Sequence, residues 1–186
     1  MGSTKRAAGS NRRTTIRRAV ATDLQAVGRL GAMLLRAHHG FDPDRFMSAG
    51  PGAESGYAAF LGTQLDARDA IVLVAERGGE VVGYAYAGIE PRSWKELRER
   101  AGFIHDILVD EGNRRTGIAD LLLDAAVAWV RRQGVPRVLL WTAARNEDAQ
   151  RLFVRKGFRG TMIEMTLELP DVDRPGAGAL PLLEPL

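Results

Sequence analysis

The sequence contains no cysteine and only three histidines, and these two scarcities exclude several kinds of site. Without cysteine, the 186 residues can form neither a disulfide framework nor a thiolate metal site. The histidines are His38, His39 and His105, and the adjacent pair lacks the i, i+4 spacing with which a helix presents two ligands to zinc. We therefore expect no metal.

Long apolar runs are also missing. No run approaches the ~20 residues that a membrane-spanning helix needs, and the N-terminus lacks the apolar core of a signal peptide. We expect a cytoplasmic protein without a membrane partner. Residues 1–13 are basic but contain neither acids nor the aromatic side chains that stack on bases, so we interpret them as a disordered arm and do not expect nucleic acid to bind.

What is present suits one globular domain. Apolar residues make up 45% of the chain and charged residues 26%, which is ordinary for a protein with a buried core. We place the domain at residues 14–170 and a tail rich in Pro, Gly and Leu at 171–186.

Hydrophobic patterning predicts about six strands and about four helices. Thr22 and Gln25 form a capping box before the first helix, which the segment from His38 to Pro43 should end. The predicted strands are 14–20, 70–75, 81–89, 103–109, 138–142 and 158–169, and the helices fall at about 24–37, 55–65, 117–133 and 147–156. One right-handed βαβ crossover joins the central strand to the next one, so we expect a single mixed, mostly antiparallel sheet with helices on both faces.

The stretch from Ile104 to Leu123, IHDILVDEGNRRTGIADLLL, predicts a strand, a polar turn and an apolar helix that begins at Gly117. The first turn of a helix has N–H groups without intrahelical partners and carries positive partial charge. Gly117 lets an anion approach the backbone, and Arg114 and Arg115 add positive charge beside it. P-loop and three-glycine dinucleotide patterns are absent, yet the turn suits a polyphosphate.

Three segments resemble the GNAT family of N-acetyltransferases and occur in the family's order. RRTGIA at 114–119 is similar to its coenzyme-binding signature, GGEVVGYA at 78–85 to its second hairpin, and NEDAQRLFVRKGF at 146–158 to its second signature. The resemblance covers most of the range 14–169. It implies the GNAT fold, an α/β (α+β) architecture in which the central parallel strands splay apart.

The resemblance also implies acetyl-CoA as the acyl donor and a primary amine of a small molecule, peptide or protein as the acceptor. The pyrophosphate would bind the backbone N–H groups of Arg114, Arg115, Thr116, Gly117, Ile118 and Ala119. The pantetheine arm would pair with the backbone of Ile107, Leu108 and Val109 like an added strand. Asn146 would contact the coenzyme or hold the splay open, cap the following helix, or do both.

An acceptor amine must lose a proton before it can attack a thioester, so the site needs a base. Strand alternation places Phe103, His105, Ile107 and Val109 on one face, and Ile104, Asp106 and Leu108 on the other. Several branches of the family place a base at positions matching Phe103 or His105. His105 is therefore the first candidate, the alternative being a packed histidine without a catalytic role. Glu90, at the end of the neighbouring strand, is the second, and Asp106 is interpreted as structural.

Phe153 stands where much of the family has a tyrosine that can protonate the leaving thiolate. A phenyl ring can pack against the thioester but cannot donate a proton. This departure leaves an alternative function, a non-catalytic acyl-CoA sensor or interaction module of the same fold. Neither the acceptor amine nor the acyl length is fixed by the sequence, and a homodimer is compatible with the family.

Overall fold

The computed structural model describes residues 13–169. The predicted basic arm, apart from Arg13, and the predicted tail lie outside these residues. Within the range 13–169, no helix is long and apolar enough to cross a membrane.

The order of helices and strands along the chain is largely the order that the hydrophobic pattern predicts. The strands are β1 (Thr14–Arg18), β2 (Ala70–Arg77), β3 (Glu80–Glu90), β4 (Ala101–Val109) and β5 (Val138–Leu140), and the helices are α1 (Leu24–Phe41), α2 (Ala53–Gly62), α3 (Ile118–Arg132) and α4 (Glu147–Arg155). The expected break at His38 comes later, because α1 continues through both histidines to Phe41.

One mixed sheet holds these strands in the order β1-β2-β3-β4-β5. The first four pair antiparallel, and β4 pairs parallel with β5 after the crossover through α3. The predicted mixed, mostly antiparallel sheet flanked by four helices is confirmed, with five strands among residues 13–169 instead of about six.

The predicted last strand, 158–169, is wrong. This segment is extended chain without sheet partners in the part of the protein that the structure describes. Its apolar side chains, Met162, Ile163, Met165, Leu167 and Leu169, are 78% to 85% exposed. Alternating apolar residues give a segment β-propensity, but a strand also needs a neighbouring edge whose N–H and C=O groups it can pair with.

Two apolar layers cover the sheet. Val27 and Leu30 of α1 and Leu61 of α2 pack with Val72, Val74 and Tyr84 on one face. Leu122, Ala126 and Trp129 of α3 and Leu152 and Phe153 of α4 pack with Ile71, Leu73, Ala85 and Ile104 on the other. As a result, α1 and α2 flank one side of the sheet, and α3 and α4 flank the other.

Asp23, and not Thr22, supplies the side chain that caps the short 3-10 turn, Ala21–Asp23, which leads into α1. Its carboxylate accepts the backbone N–H of Val20 at 2.8 Å and two guanidinium N–H groups of Arg17 at 2.6 and 2.9 Å. The Asp23 side chain is 7% exposed, whereas Thr22 is exposed. The predicted capping box of Thr22 and Gln25 is therefore replaced by an arrangement that depends on Arg17 from β1.

Asp23→Asn should lower the free energy of unfolding by about 2 kcal/mol, because the part-exposed guanidinium of Arg17 and a backbone donor lose a buried anionic acceptor. Thr22→Ala is the matched control and should change stability by less than about 0.5 kcal/mol. Urea unfolding followed by circular dichroism measures both. Equal effects of the two substitutions would mean that Thr22 contributes as much as Asp23 to the start of the helix.

Candidate active site

The parallel strands β4 and β5 separate after a short pairing. Only Gly102, Phe103 and Ile104 of β4 pair with β5, the last opposite Leu140. A cavity of about 400 Å³ opens where the strands part. It is lined from α1, α2, β4, β5, α4 and their loops by residues that include Leu34, His38, Phe46, Tyr57, His105, Asp106, Ile107, Trp141, Thr142, Asn146 and Phe153.

A β-bulge at His105 changes which side chains face the cavity. Tyr86 pairs with Asp106 and the next residue, Ala87, pairs with Ile104, so His105 is the extra residue of β4. A bulge interrupts the two-residue alternation of a strand. Side-chain contacts then place Asp106 and Leu108 on the same face as His105 and move Ile107 and Val109 to the face of Ile104. The predicted separation of His105 from Asp106 is therefore wrong.

His105 and Glu90, the two candidate bases, lie together. Nε2 of His105 is 3.2 Å from Oε1 of Glu90, and their side chains are 29% and 35% exposed. The His105 ring stacks between Tyr86 and Phe103, with ring centroids 4.8 and 4.9 Å apart. Burial lowers the pKa of His105 below its usual 6.5, while the charges of Glu90 and Asp106 oppose that shift. The imidazole is thus packed between two aromatic rings, and its Nε2 contacts a carboxylate.

Asp106 forms a second polar cluster that the sequence did not reveal. Its Oδ2 accepts hydrogen bonds from the hydroxyls of Tyr57 and Tyr84, both at 3.1 Å. Burial raises the pKa of Asp106, and the two hydroxyls oppose the rise. Tyr57 reaches this carboxylate because α2 lies close to α1: a Cβ added at Gly31 would stand 2.1 Å from Cδ1 of Tyr57.

The predicted phosphate loop lies at the start of α3 and has an open geometry. Arg115 and Gly117, separated by Thr116, both adopt left-handed conformations, with φ of 59° and 82°. A left-handed residue next to a right-handed one turns successive N–H groups to the same side, which makes a concave site for an anion. No side chain caps Gly117, and a Cβ placed there would meet no atom within 4 Å. Arg114, Arg115 and Thr116 are exposed. The loop fits an anion such as a pyrophosphate.

One negative charge near this loop is balanced locally. Asp120 lies in the first turn of α3, and its carboxylate is 3.5 Å from Nζ of Lys156 and 3.9 Å from a guanidinium nitrogen of Arg155. Lys156, which follows the last residue of α4, lies closer to Asp124, at 2.8 Å, so the two carboxylates share its charge. The two cations at the end of α4 reduce the repulsion that an incoming anion would meet.

The backbone of Ile107 to Val109 has no β5 partner, because the strands have already separated. One acceptor of this stretch is in use, since Nε of Arg114 donates to the carbonyl of Val109 at 3.4 Å. An added extended ligand would therefore compete with Arg114 at that end of the stretch.

Asn146 and Phe153, at the start of α4 and within it, also line the cavity. The side-chain oxygen of Asn146 accepts the N–H of Ala149 at 3.2 Å, which confirms the predicted helix cap, and the residue also lines the cavity. Phe153 is 6% exposed, lines the cavity beside Ile107, and packs against Phe158 with ring centroids 5.9 Å apart. The sequence suggests four acidic residues for a polycationic acceptor, and none of them lines the cavity: Asp42, Asp44, Glu54 and Glu90. Within residues 13–169, no three or more His, Asp or Glu side chains are grouped to hold a metal.

Comparison with known proteins relates the chain to a family of acetyltransferases. The family model described as "Acetyltransferase (GNAT) family" matches residues 35–158. A mycothiol acetyltransferase of Cellulomonas flavigena is 28% identical over 109 residues, which make up 57% of this chain but 31% of that protein. The uncharacterized N-acetyltransferase YhfO of Bacillus subtilis is 27% identical over 103 residues, 55% of this chain and 68% of that protein.

Solved structures share the fold. Aminoglycoside N-acetyltransferase AAC(6')-Iy, in complex with CoA, superposes with a TM-score of 0.66 at 19% identity, covering 88% of this chain and 99% of that chain. Identity this low shows the fold alone.

Proposed function

Since the chain belongs to the GNAT family of acetyltransferases, we propose that it transfers the acetyl group of acetyl-CoA to the nitrogen of a primary amine. One observation carries the proposal: the cavity opens where β4 and β5 part, and His105, whose Nε2 contacts Glu90, lies on its wall. A coenzyme arm laid along the free edge of β4 would end beside that pair.

Acetyl-CoA supplies an activated acetyl group, and the chain supplies the groups that hold it. The N–H groups from Arg114 through Ala119 would bind the pyrophosphate at the open start of α3. The backbone from Ile107 to Val109 would bind the pantetheine arm, with Arg114 leaving the Val109 carbonyl to face the phosphates instead. Asn146 and Phe153 would contact the arm near the thioester. The CoA complex of AAC(6')-Iy supports this use of the shared fold.

His105 would take the proton that the acceptor ammonium must lose. Its lowered pKa keeps the imidazole neutral at neutral pH, so it can accept a proton, and Glu90 stabilises the imidazolium that results. The new C–N bond forms as the C–S bond breaks, and the sulfur leaves as a thiolate. Overall, one ammonium and one thioester give one amide, one thiol and one released proton.

Thiol release from acetyl-CoA in the presence of a panel of primary amines tests this function. We expect amine-dependent thiol release, with N-acetylated product identified by mass spectrometry. Coenzyme binding measured by calorimetry, without thiol release for any amine, would support the non-catalytic acyl-CoA-binding module instead.

Phenylalanine at position 153 favours the non-catalytic acyl-CoA-binding module, because its side chain has no hydroxyl that could protonate the thiolate. A thiol pKa near 8.5 makes the thiolate a tolerable leaving group, so water can supply the proton in an enzyme. Phe153→Tyr should raise the turnover number by about 10-fold if thiolate protonation limits the rate.

Phe158→Tyr is the matched control, because Phe158 packs against Phe153 without lining the cavity. Pre-steady-state thiol release and turnover, compared across both variants, measure the effect. A turnover number unchanged by Phe153→Tyr would show that thiolate protonation is not the slow step.

A further inference from the structure

The wall that α1, α2 and the adjoining loops give to the cavity is mostly carbon. Its side chains are Leu34, Leu35 and His38 of α1, Tyr57 of α2, and Arg45, Phe46 and Met47 between the two helices. Trp141, which follows β5, adds a further apolar side chain to the lining. Such a wall binds an apolar ligand by removing carbon surface from water, and it offers little to a ligand rich in hydroxyl or ammonium groups.

Asp106 is the one carboxylate among the described residues that line this cavity. Both tyrosine hydroxyls donate to Oδ2, and no hydrogen bond from a described residue reaches Oδ1. A desolvated carboxylate gains most from a cation, and the side chain has room for one such partner. The cavity therefore provides one anionic contact inside an apolar wall.

A second ammonium would find no further carboxylate among the described residues that line the cavity. Arg45 is the charged residue at the rim, and its guanidinium already pairs with Glu164. A ligand with several positive charges would meet this cation and would leave its extra charges without a carboxylate partner.

We infer that the acceptor is a monoamine with an apolar body, whose single ammonium pairs with Asp106 while His105 removes its proton. The inference rests on the proposed acetyl transfer and narrows its substrate class. The bulge makes this division of roles feasible, because it brings two consecutive residues of β4 to one face.

n-Pentylamine and 1,4-diaminobutane test the inference as a matched pair. They have the same number of heavy atoms and differ by exchange of a terminal methyl for a second ammonium. At neutral pH and fixed acetyl-CoA, we expect kcat/KM for n-pentylamine to exceed that for the diamine by about 10-fold or more. A diamine equal to or better than the monoamine would overturn the inference and leave the proposed acetyl transfer standing.

Asp106→Asn tests whether Asp106 is the residue that binds the ammonium of the acceptor. We expect the KM for n-pentylamine to rise by about 10-fold or more while kcat falls less and coenzyme affinity is unchanged. Asp44→Asn is the control, because Asp44 is exposed and outside the cavity; its KM should stay at the wild-type value. An unchanged KM in Asp106→Asn would overturn the assignment to Asp106. If that variant does not fold, the amine pair on the wild-type protein still decides the substrate class.

Binding separates failure of the inference from failure of the proposed function. Calorimetry of each amine with protein saturated by coenzyme A needs no turnover. Tighter binding of n-pentylamine than of the diamine, without acetylation of either, would support the amine class and reject the transferase. Equal binding of both amines would overturn the amine class whatever the activity.

Discussion

Gly117→Glu should weaken the binding of coenzyme A by about 100-fold or more, which is about 2.7 kcal/mol of binding free energy. The open space above Gly117, at the uncapped start of α3, is where we place the pyrophosphate. A carboxylate there would occupy that space, accept the same N–H groups and repel the phosphates. Calorimetric titration with coenzyme A measures the loss.

Backbone strain must be separated from this electrostatic effect, because Gly117 has φ of 82°. Gly117→Asn is the matched control, since asparagine tolerates the left-handed region and is neutral. We expect it to retain most of the affinity, and both variants should unfold at similar urea concentrations. Wild-type affinity in a folded Gly117→Glu protein would mean that the pyrophosphate binds elsewhere.

His105→Ala should lower the turnover number by about 100-fold or more, the usual scale for removal of a general base. His105 lies on the cavity wall with Nε2 3.2 Å from Glu90, and no other histidine shares that contact. His105→Gln separates proton transfer from packing, because glutamine can still donate to Glu90 but cannot act as the base. We expect it to be as slow as alanine. Steady-state rates with a confirmed acceptor measure both variants.

The pH profile gives an independent test of the same residue. Burial lowers the pKa of His105, so the wild-type protein should keep its base neutral to below pH 6.5 and lose turnover as the pH falls further. This acidic limb should disappear in His105→Ala. If the variant kept full activity and the same limb, the base would have to be reassigned, with Glu90 or a water molecule next.

Local features were predictable because their physics is contained in a few neighbouring residues. Gly78 and Gly79 make the β2–β3 turn with positive φ, within the segment GGEVVGYA that resembles the family's hairpin. Gly117 stands at the start of α3 and Asn146 caps α4, both as predicted from the sequence. Each feature depends on one backbone conformation or one side-chain hydrogen bond within a few positions. The order of three such motifs then indicated the family.

The pairing of distant residues was not predictable in this way. Thr22 looked like the cap of α1, but Arg17 of β1 and the backbone of Val20 converge on Asp23 instead. The segment from 158 to 169 has the alternation of a strand and lacks a paired edge among residues 13–169. In both cases the local pattern was present, and a partner elsewhere in the chain decided the outcome.

The sequence by itself determined the fold class, because hydrophobic periodicity is a local property. It also predicted the phosphate loop and the candidate bases His105 and Glu90, from glycine positions, residue chemistry and the resemblance to the family. Only the tertiary structure decided that Asp106 shares a face with His105 and that Tyr57 and Tyr84 hold its carboxylate. A single strand carries no mark of a bulge, since the extra residue is defined by its register against β3. Tyr57 reaches Asp106 only because Gly31 lets two helices approach, a contact that packing creates and no sequence spacing encodes.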